Sequence, residues 1–315
     1  MNIIFTVCNR TSLCHALALA KSVQQFQGSI FYLCWVDTTT PASLPDYIKL
    51  ITIEELKLPQ WQQMCSQYYD FELLPATRPW FAKHLLGLHP ENHSLIFLAP
   101  TVWVYQSLDS LVAKNADIQV TPHITAGLPK SNILDDKRIL NIGMFHAGSW
   151  ILKRSEESLS FLNWWAIRTL DRAKFDLCNG MCMDQLWLNF VLVHVKNTLQ
   201  ITEPGWHYGL HTVLAKDISL HNGKYLIQDK PLITANFAGL DFFDPIWSDH
   251  APLLGKRDTF KNMYSQYRKE VSSFQKYTIS GTPGYGQIPA IKSNRLFRKK
   301  LAGHLTSITR FIDQF

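Results

Sequence analysis

The chain has 315 residues, 46% of them hydrophobic and 18% charged. This excludes a disordered or low-complexity protein and leaves enough apolar surface to fold without disulfide staples. The net charge of +6 is spread thinly, which excludes the concentrated basic face of a nucleic-acid-binding protein and suits an acidic ligand such as a diphosphate, or an anionic membrane surface.

Asn2 to Cys8 reads as a short buried strand, followed by the polar turn Asn9-Arg10-Thr11-Ser12. Leu13 to Phe26 carries apolar residues at helical spacing, and Ser29 to Val36 is a second apolar run ending at Asp37. Strand, helix and strand in so short a span form a βαβ unit, so a parallel sheet is expected. Ile48 to Ile53 reads as a weak strand, and Leu58 to Tyr69 and Pro79 to Leu88 as helices. Ser94 to Leu98, Asp117 to Thr121 and Trp150 to Leu152 read as strands. Glu156 to Leu170 is an amphipathic helix whose Trp164 and Trp165 belong to the core. Met183 to Val193 reads as a helix opening at Asp184, and Pro231 to Phe237 as a late strand. There is no internal repeat and no Gly/Ser linker, so one structural unit is expected.

Thr259 to Phe274 reads as a helix, Ser280 to Gly286 as a loop, and Asn294 to Phe315 as a basic amphipathic helix. Leu296, Phe297, Leu301, Leu305, Ile308 and Phe311 share its apolar side; Arg295, Arg298, Lys299, Lys300 and Arg310 share its polar side. Such a helix docks on the main body or lies on a membrane surface, and the sequence leaves both open. Six cysteines form no C-x-x-C pair. Cys178 and Cys182 lie one helical turn apart, but no nearby histidine completes a zinc site. Buried reduced thiols are expected. Met1 to Val7 lacks the basic and apolar regions of a signal peptide, and no apolar run nears the ~20 residues that span a bilayer. A cytoplasmic protein is expected, with peripheral membrane contact through 294–310.

Several segments in order carry a resemblance. They are Ile3-Ile4-Phe5-Thr6-Val7-Cys8, Glu72 to Pro79, Leu95 to Val104, Gly143-Met144-Phe145-His146-Ala147-Gly148, Asn179 to Gln185, and Asn236-Phe237-Ala238-Gly239. The order Ile288-Pro289 then Arg295 fits as well. Together they resemble bacterial glycosyltransferase-like proteins related to retaining GT-A enzymes of the glycogenin and lipopolysaccharide galactosyltransferase kind. The resemblance implies an α/β fold: a GT-A-like, Rossmann-related, mostly parallel sheet flanked by helices. It implies a nucleotide-sugar-binding domain over 1–258 with a helical extension, 259–315, packed on it as one unit.

It also implies a nucleotide-sugar donor, with UDP the usual nucleotide, and a glycan, lipid or protein acceptor. Thr6, Cys8, Arg78, Ala99, Thr101, His146, Gly148, Asn236 and Gly239 fall at donor-binding positions, and Asp184 and Gln185 at the reacting centre. Arg78 stands where the family has a lysine and is suited to pairing with phosphate. Trp206, His207 and His211 follow Pro204-Gly205 in a loop and are weaker candidates for the acceptor side.

The departure lies at the metal. The family holds a divalent cation on an Asp-x-Asp pair and a histidine; here those positions are Ala99, Thr101 and Asn236, and none is a carboxylate or imidazole. No metal cofactor is therefore expected at those positions. An uncompensated loss of that ion costs several kcal/mol, or roughly three powers of ten in rate. Either cationic side chains replace it, with Arg78, Lys83, Lys130, Arg138 and His146 as candidates, or the protein is a non-catalytic binding module. Each site residue also has a plain structural use. Asp184 suits a helix N-cap, Arg78 a surface position, His146 a core position, and Gly148 and Gly239 tight turns.

Overall fold

The computed structural model describes residues 2–91, 94–125, 136–213, 215–241, 244, 246–248, 251–252, 257–288 and 295–312. Lys130, Pro289 and Asn294 lie outside them, as do the side chains of Arg138, residues 295–300 and Arg310.

The expected βαβ start is present. Strand β1 (Asn2–Cys8) pairs in parallel with β2 (Ser29–Trp35), in register from Asn2 opposite Ser29 to Cys8 opposite Trp35. Helix α1 (Leu13–Gln24) connects them. Strand β3 (Ile48–Thr52) adds to β2 in parallel, and β4 (Ser94–Leu98) adds to the other side of β1. The short β5 (Val102–Val104) leaves this sheet. Strands β6 (Ile118–Pro122), β7 (Phe145–Lys153) and β8 (Thr198–Gln200) complete seven strands in the order β8-β6-β7-β4-β1-β2-β3. Only β7 runs against its neighbours, β4 and β6. The sheet is thus mixed α/β and mostly parallel, and its strands are near-continuous apolar runs because helices cover both faces.

Of the elements that differ from expectation, three build the cleft described below. Helix α3 (Asp70–Leu88), which follows α2 (Trp61–Gln67), begins at Asp70 rather than Pro79 and contains Pro75 and Pro79. Each proline removes a ladder donor. The helix persists because Leu73, Ala76, Phe81, Ala82 and Leu85 are buried, and because Glu72 accepts the Tyr69 N–H at 2.9 Å at its start. Strand β7 is longer than Trp150–Leu152. Its pairing to β6 shifts register between Val120 and Thr121, from Trp150 to His146, so Ala147–Ser149 bows away from β6. Such bulges re-aim side chains beside sites. Finally, Gln185–Phe190 is a 3₁₀ segment, with a single α-turn at Val191–His194. Asp184 makes no side-chain cap; its carboxylate is engaged elsewhere.

Helix α4 (Glu156–Arg168) packs on α3, and Trp165 is buried within the core. Helix α5 (Asp258–Ser273) packs on α1, where His15 Nδ1 meets the Tyr267 hydroxyl at 2.8 Å. A last helix, α6 (Arg295–Ile312), leaves Leu301, Leu305, Ile308 and Phe311 exposed. No helix among the described residues is long and apolar enough to cross a membrane.

The segment before α6 is stapled to the N-terminal turn. Arg10 donates to both carboxylate oxygens of Asp37, at 2.7 and 2.6 Å, and to the Ser280 carbonyl at 2.9 Å. Asp37 also accepts the Gly284 N–H at 3.0 Å. The pair is sealed, with the Asp37 side chain 0% and the Arg10 side chain 9% exposed. Burial alone pushes the Asp37 carboxyl up, but its hydrogen bonds from Arg10 and Gly284 outweigh that and hold it below its ordinary value. A lowered folded pKa contributes stability above the unfolded value and loses it as pH falls through the folded one. Asp37→Asn strands the guanidinium, so urea unfolding at neutral pH is expected to show a loss of about 3–5 kcal/mol. The gap to wild type should narrow as pH drops below the ordinary value of 3.8; a gap independent of pH would contradict the pairing.

Candidate functional site

A cleft with about 120 Å³ of interior space lies beside the ends of β1, β4 and β7 and against α3. Its place beyond strand ends is where open α/β sheets bind ligands. Its walls include Val7, Ser12, Ala99, Thr101, Ala147 and Gly148 from the sheet side, and Phe71, Leu74, Pro75 and Arg78 from α3. Asp184, Gln185, Asn236 and Trp247 complete it.

One ion pair sits in this wall. Arg78 Nη1 donates to both oxygens of Asp184, at 3.1 and 3.2 Å. The arginine side chain is 16% and the aspartate side chain 1% exposed. The guanidinium also lies over the Phe97 ring, 4.9 Å from its centroid, a cation–π contact. Trp165 Nε1 holds the Asp184 carbonyl at 3.0 Å, and the preceding Met183 adopts a left-handed φ of 52°. Burial pushes the Asp184 carboxyl up to about 6, with Arg78 working against that rise. Arg78 is therefore neither a bare surface cation nor a free phosphate ligand. It is the partner that keeps Asp184 ionisable.

Gln185 is buried, and both ends of its amide are engaged. Oε1 accepts the Ala147 N–H at 3.1 Å, and Nε2 donates to the Ile142 carbonyl at 2.8 Å. It braces the bowed part of β7. Thr101 and Asn236, which the resemblance assigns to a cation, meet as a neutral pair: Thr101 donates to Asn236 Oδ1 at 2.7 Å, and that oxygen also accepts the Ala238 N–H at 3.1 Å. Ala99 lines the cleft beside them. With one side-chain oxygen already committed twice and no carboxylate, these residues do not fit a hard divalent cation.

Other candidates are placed differently. Thr6 and Cys8 are wholly buried and do not line the cleft; burial drives the Cys8 thiol far up. Gly239 also lies outside the lining. It is a packing glycine at φ 87°, where an added Cβ would come 2.8 Å from Leu210 Cδ1. Lys83 does not line the cleft either and donates to Asn163 at 2.6 Å. Trp206, His207 and His211 are not an exposed stacking platform. They are buried, with 2%, 0% and 5% exposure, because Trp206 Nε1 is drawn in to Thr121 Oγ1 at 2.7 Å. His146 and Gly148 do line the cleft, and behind them lies a histidine cluster that the sequence reading did not assemble. His207 and His211 stand one helical turn apart in sequence, but His123 and His146 are distant, and only the fold joins them.

No family model matches the chain. Uncharacterized protein YfnF of Bacillus subtilis (strain 168) is 25% identical over 250 residues, spanning 74% of this chain and 80% of that protein. Among solved structures, the galactosyltransferase LgtC in complex with donor and acceptor sugar analogs is similar at 12% identity and a TM-score of 0.46. That match covers 90% of this chain and 98% of that one. The glycosyltransferase GlyE of Streptococcus pneumoniae TIGR4 is similar at 10% identity and a TM-score of 0.45, covering 91% and 67%.

With its pKa raised from 3.8 to about 6, the Asp184 carboxyl contributes most to stability below its unfolded value, and the contribution is lost as pH rises through the folded one. Carbon-13 NMR of the carboxyl should show a midpoint near 6. In Arg78→Gln the midpoint should move higher still, because the opposing charge is gone. An unchanged midpoint in the variant would show that the pair is not electrostatically coupled.

Proposed function

We propose that this protein transfers a sugar from a nucleotide donor, UDP-linked in the first instance, to a glycan, lipid or protein acceptor. We further propose that it does so without a cation held at Ala99, Thr101 and Asn236. The single observation that supports this reading is the sealed Arg78–Asp184 pair in the wall of a cleft beyond the strand ends. Functional sites are where burial and a charged partner hold a carboxylate near neutral pKa.

In the reaction, the bond from the sugar C1 to the diphosphate oxygen breaks and a bond from C1 to the acceptor oxygen forms. The acceptor proton passes to the departing phosphate oxygen. Positive charge gathers on the sugar ring and negative charge on the diphosphate. Asp184, kept ionisable by its pairing with Arg78, steadies the first as part of a wall already in place before the reaction. Gln185 acts as a positioning residue that fixes Ala147 and Gly148 against the donor.

Full engagement of Asp184 and Gln185 by the protein itself favours a second reading, in which the cleft binds a nucleotide without turning it over. Asp184→Asn separates the two. If transfer is the function, release of UDP from a UDP-sugar with a matched acceptor should fall at least about a hundredfold, the scale of one electrostatic stabiliser, while UDP binding survives. Retention of the biological activity of the protein in this variant would favour the binding reading.

The C-terminal helix adds a location. Its exposed Leu301, Leu305, Ile308 and Phe311, in a segment rich in lysine and arginine, suit peripheral attachment to an anionic bilayer from the cytoplasmic side, within reach of a lipid-linked acceptor. Full-length protein should sediment with phosphatidylserine-containing vesicles, and protein lacking residues 294–315 should not. Equal sedimentation of the two would remove the helix from this role.

A further inference from the structure

Four histidines from distant parts of the chain meet just behind the cleft wall. His146 is central. Its ring lies 4.6 Å from that of His207, 4.7 Å from His211 and 5.1 Å from His123, between centroids. The His207 and His211 rings are 5.3 Å apart. All four residues are buried, between 0% and 7% exposed.

Imidazoles make a poor apolar core, since each brings two polar nitrogens that cost free energy when left unpaired. Among the described residues, Nε2 of His146, Nδ1 of His207 and Nε2 of His123 make no hydrogen bond. Burial, with the neighbouring rings and Arg78 adding to it, drives His146 well below its ordinary pKa. Neutral imidazole is the form that binds metal.

The backbone is shaped around these rings. Gly148 leaves a space that any Cβ would fill, coming within 2.7 Å of His146 Cε1 and 3.1 Å of His207 Nε2. His207 itself adopts a left-handed φ of 50°. A non-glycine residue held there costs about 1–3 kcal/mol, and such outliers gather at functional sites.

We propose that His146, His207 and His211 form a binding site for one borderline divalent transition ion, Zn²⁺ foremost. One nitrogen from each ring lies within 4.8 Å of the other two. Tetrahedral ligands at zinc–nitrogen distances of ~2.0–2.1 Å sit roughly 3.3 Å apart, so the rings close by about an ångström and a half at most. The His146 Nδ1 now accepts the Gly148 N–H at 2.8 Å, and a half-turn of that ring offers either nitrogen to the gap. Three imidazoles and no carboxylate select zinc, cobalt, nickel or copper over magnesium and manganese. The Nδ1 of His123, facing the Gly143 carbonyl at 2.9 Å, steadies a ring packed on His146 and supports the group from outside.

The site stands one side chain beneath the Thr101–Asn236 pair, for Asn236 Nδ2 is 3.3 Å from His207 Nε2. Because His146 lines the cleft, the ion's fourth position is left for water or for an oxygen of a ligand bound there. The inference extends the transfer reading but does not depend on it, since metal uptake is measured without substrate.

The probe is Co²⁺ added to metal-free, full-length protein. The expected result is a visible absorption band of four-coordinate cobalt that saturates at one equivalent and is displaced by Zn²⁺. His207→Gln and His211→Gln should each weaken uptake by more than the ~10–100-fold typical of outer-shell changes. Should either variant fail to fold, the wild type still decides: its Tm should rise and saturate at one Zn²⁺ per chain. No band and no rise in Tm, or a band unchanged in both folded variants, would overturn the proposal. Asp184→Asn should lose transfer yet keep the cobalt band, so the two readings fail separately.

Discussion

A carboxylate sealed from water is costly unless something compensates its charge, and here that something is Arg78. The arginine is delivered by α3, held over Phe97, and bonded to both oxygens of Asp184. Much of the surrounding structure follows from keeping that contact. α3 must run unbroken through two prolines to present Arg78. The segment after Met183 must begin as a 3₁₀ turn, because a capping role would draw the Asp184 carboxylate away from its partner. Trp165 must sit deep enough to hold the Asp184 carbonyl. Removing one partner of such a pair costs more than the pair itself contributes, since the other is left charged and buried.

The bowed part of β7 is the second constraint. Out of register with β6, Ala147–Ser149 still pairs with β4 through Ser149 opposite Leu98, its Gly148 carbonyl accepts the Ala99 N–H, and Gln185 holds its Ala147 N–H. Ala147 and Gly148 line the cleft, and Gly148 also leaves room for the His146 and His207 rings. Thr101 and Asn236, which the resemblance assigns to a cation, satisfy one another through their hydrogen bond.

The sheet was legible because apolar runs bounded by polar turns report strands directly, as at Asn2–Cys8, Ser29–Trp35 and Ser94–Leu98. α3 was read too short because proline at 75 and 79 is a strong local breaker, and burial of the flanking Leu73, Ala76 and Phe81 overrode it. β7 was read too short because Gly148 interrupts the alternation that marks a strand, and the glycine is there for the histidine rings. The Arg78–Asp184 contact joins residues that no spacing rule connects, although both were singled out separately. Thr6 and Cys8 were drawn toward the cleft by their place at the end of β1, but both are sealed in the core while Val7 and Ser12 line the cleft. Trp206, a loop candidate for the acceptor side, lies buried because its N–H is drawn inward by one buried hydroxyl, that of Thr121.

Calorimetric titration of the full-length protein with UDP, in buffer without added Mg²⁺ or Mn²⁺ and again with Mn²⁺, tests the central claim most directly. The account predicts saturable binding in both buffers with the same affinity, because no hard cation bridges the diphosphate to Ala99, Thr101 or Asn236. Binding that appears only with Mn²⁺ would contradict it, and would require carboxylate ligands elsewhere in the cleft.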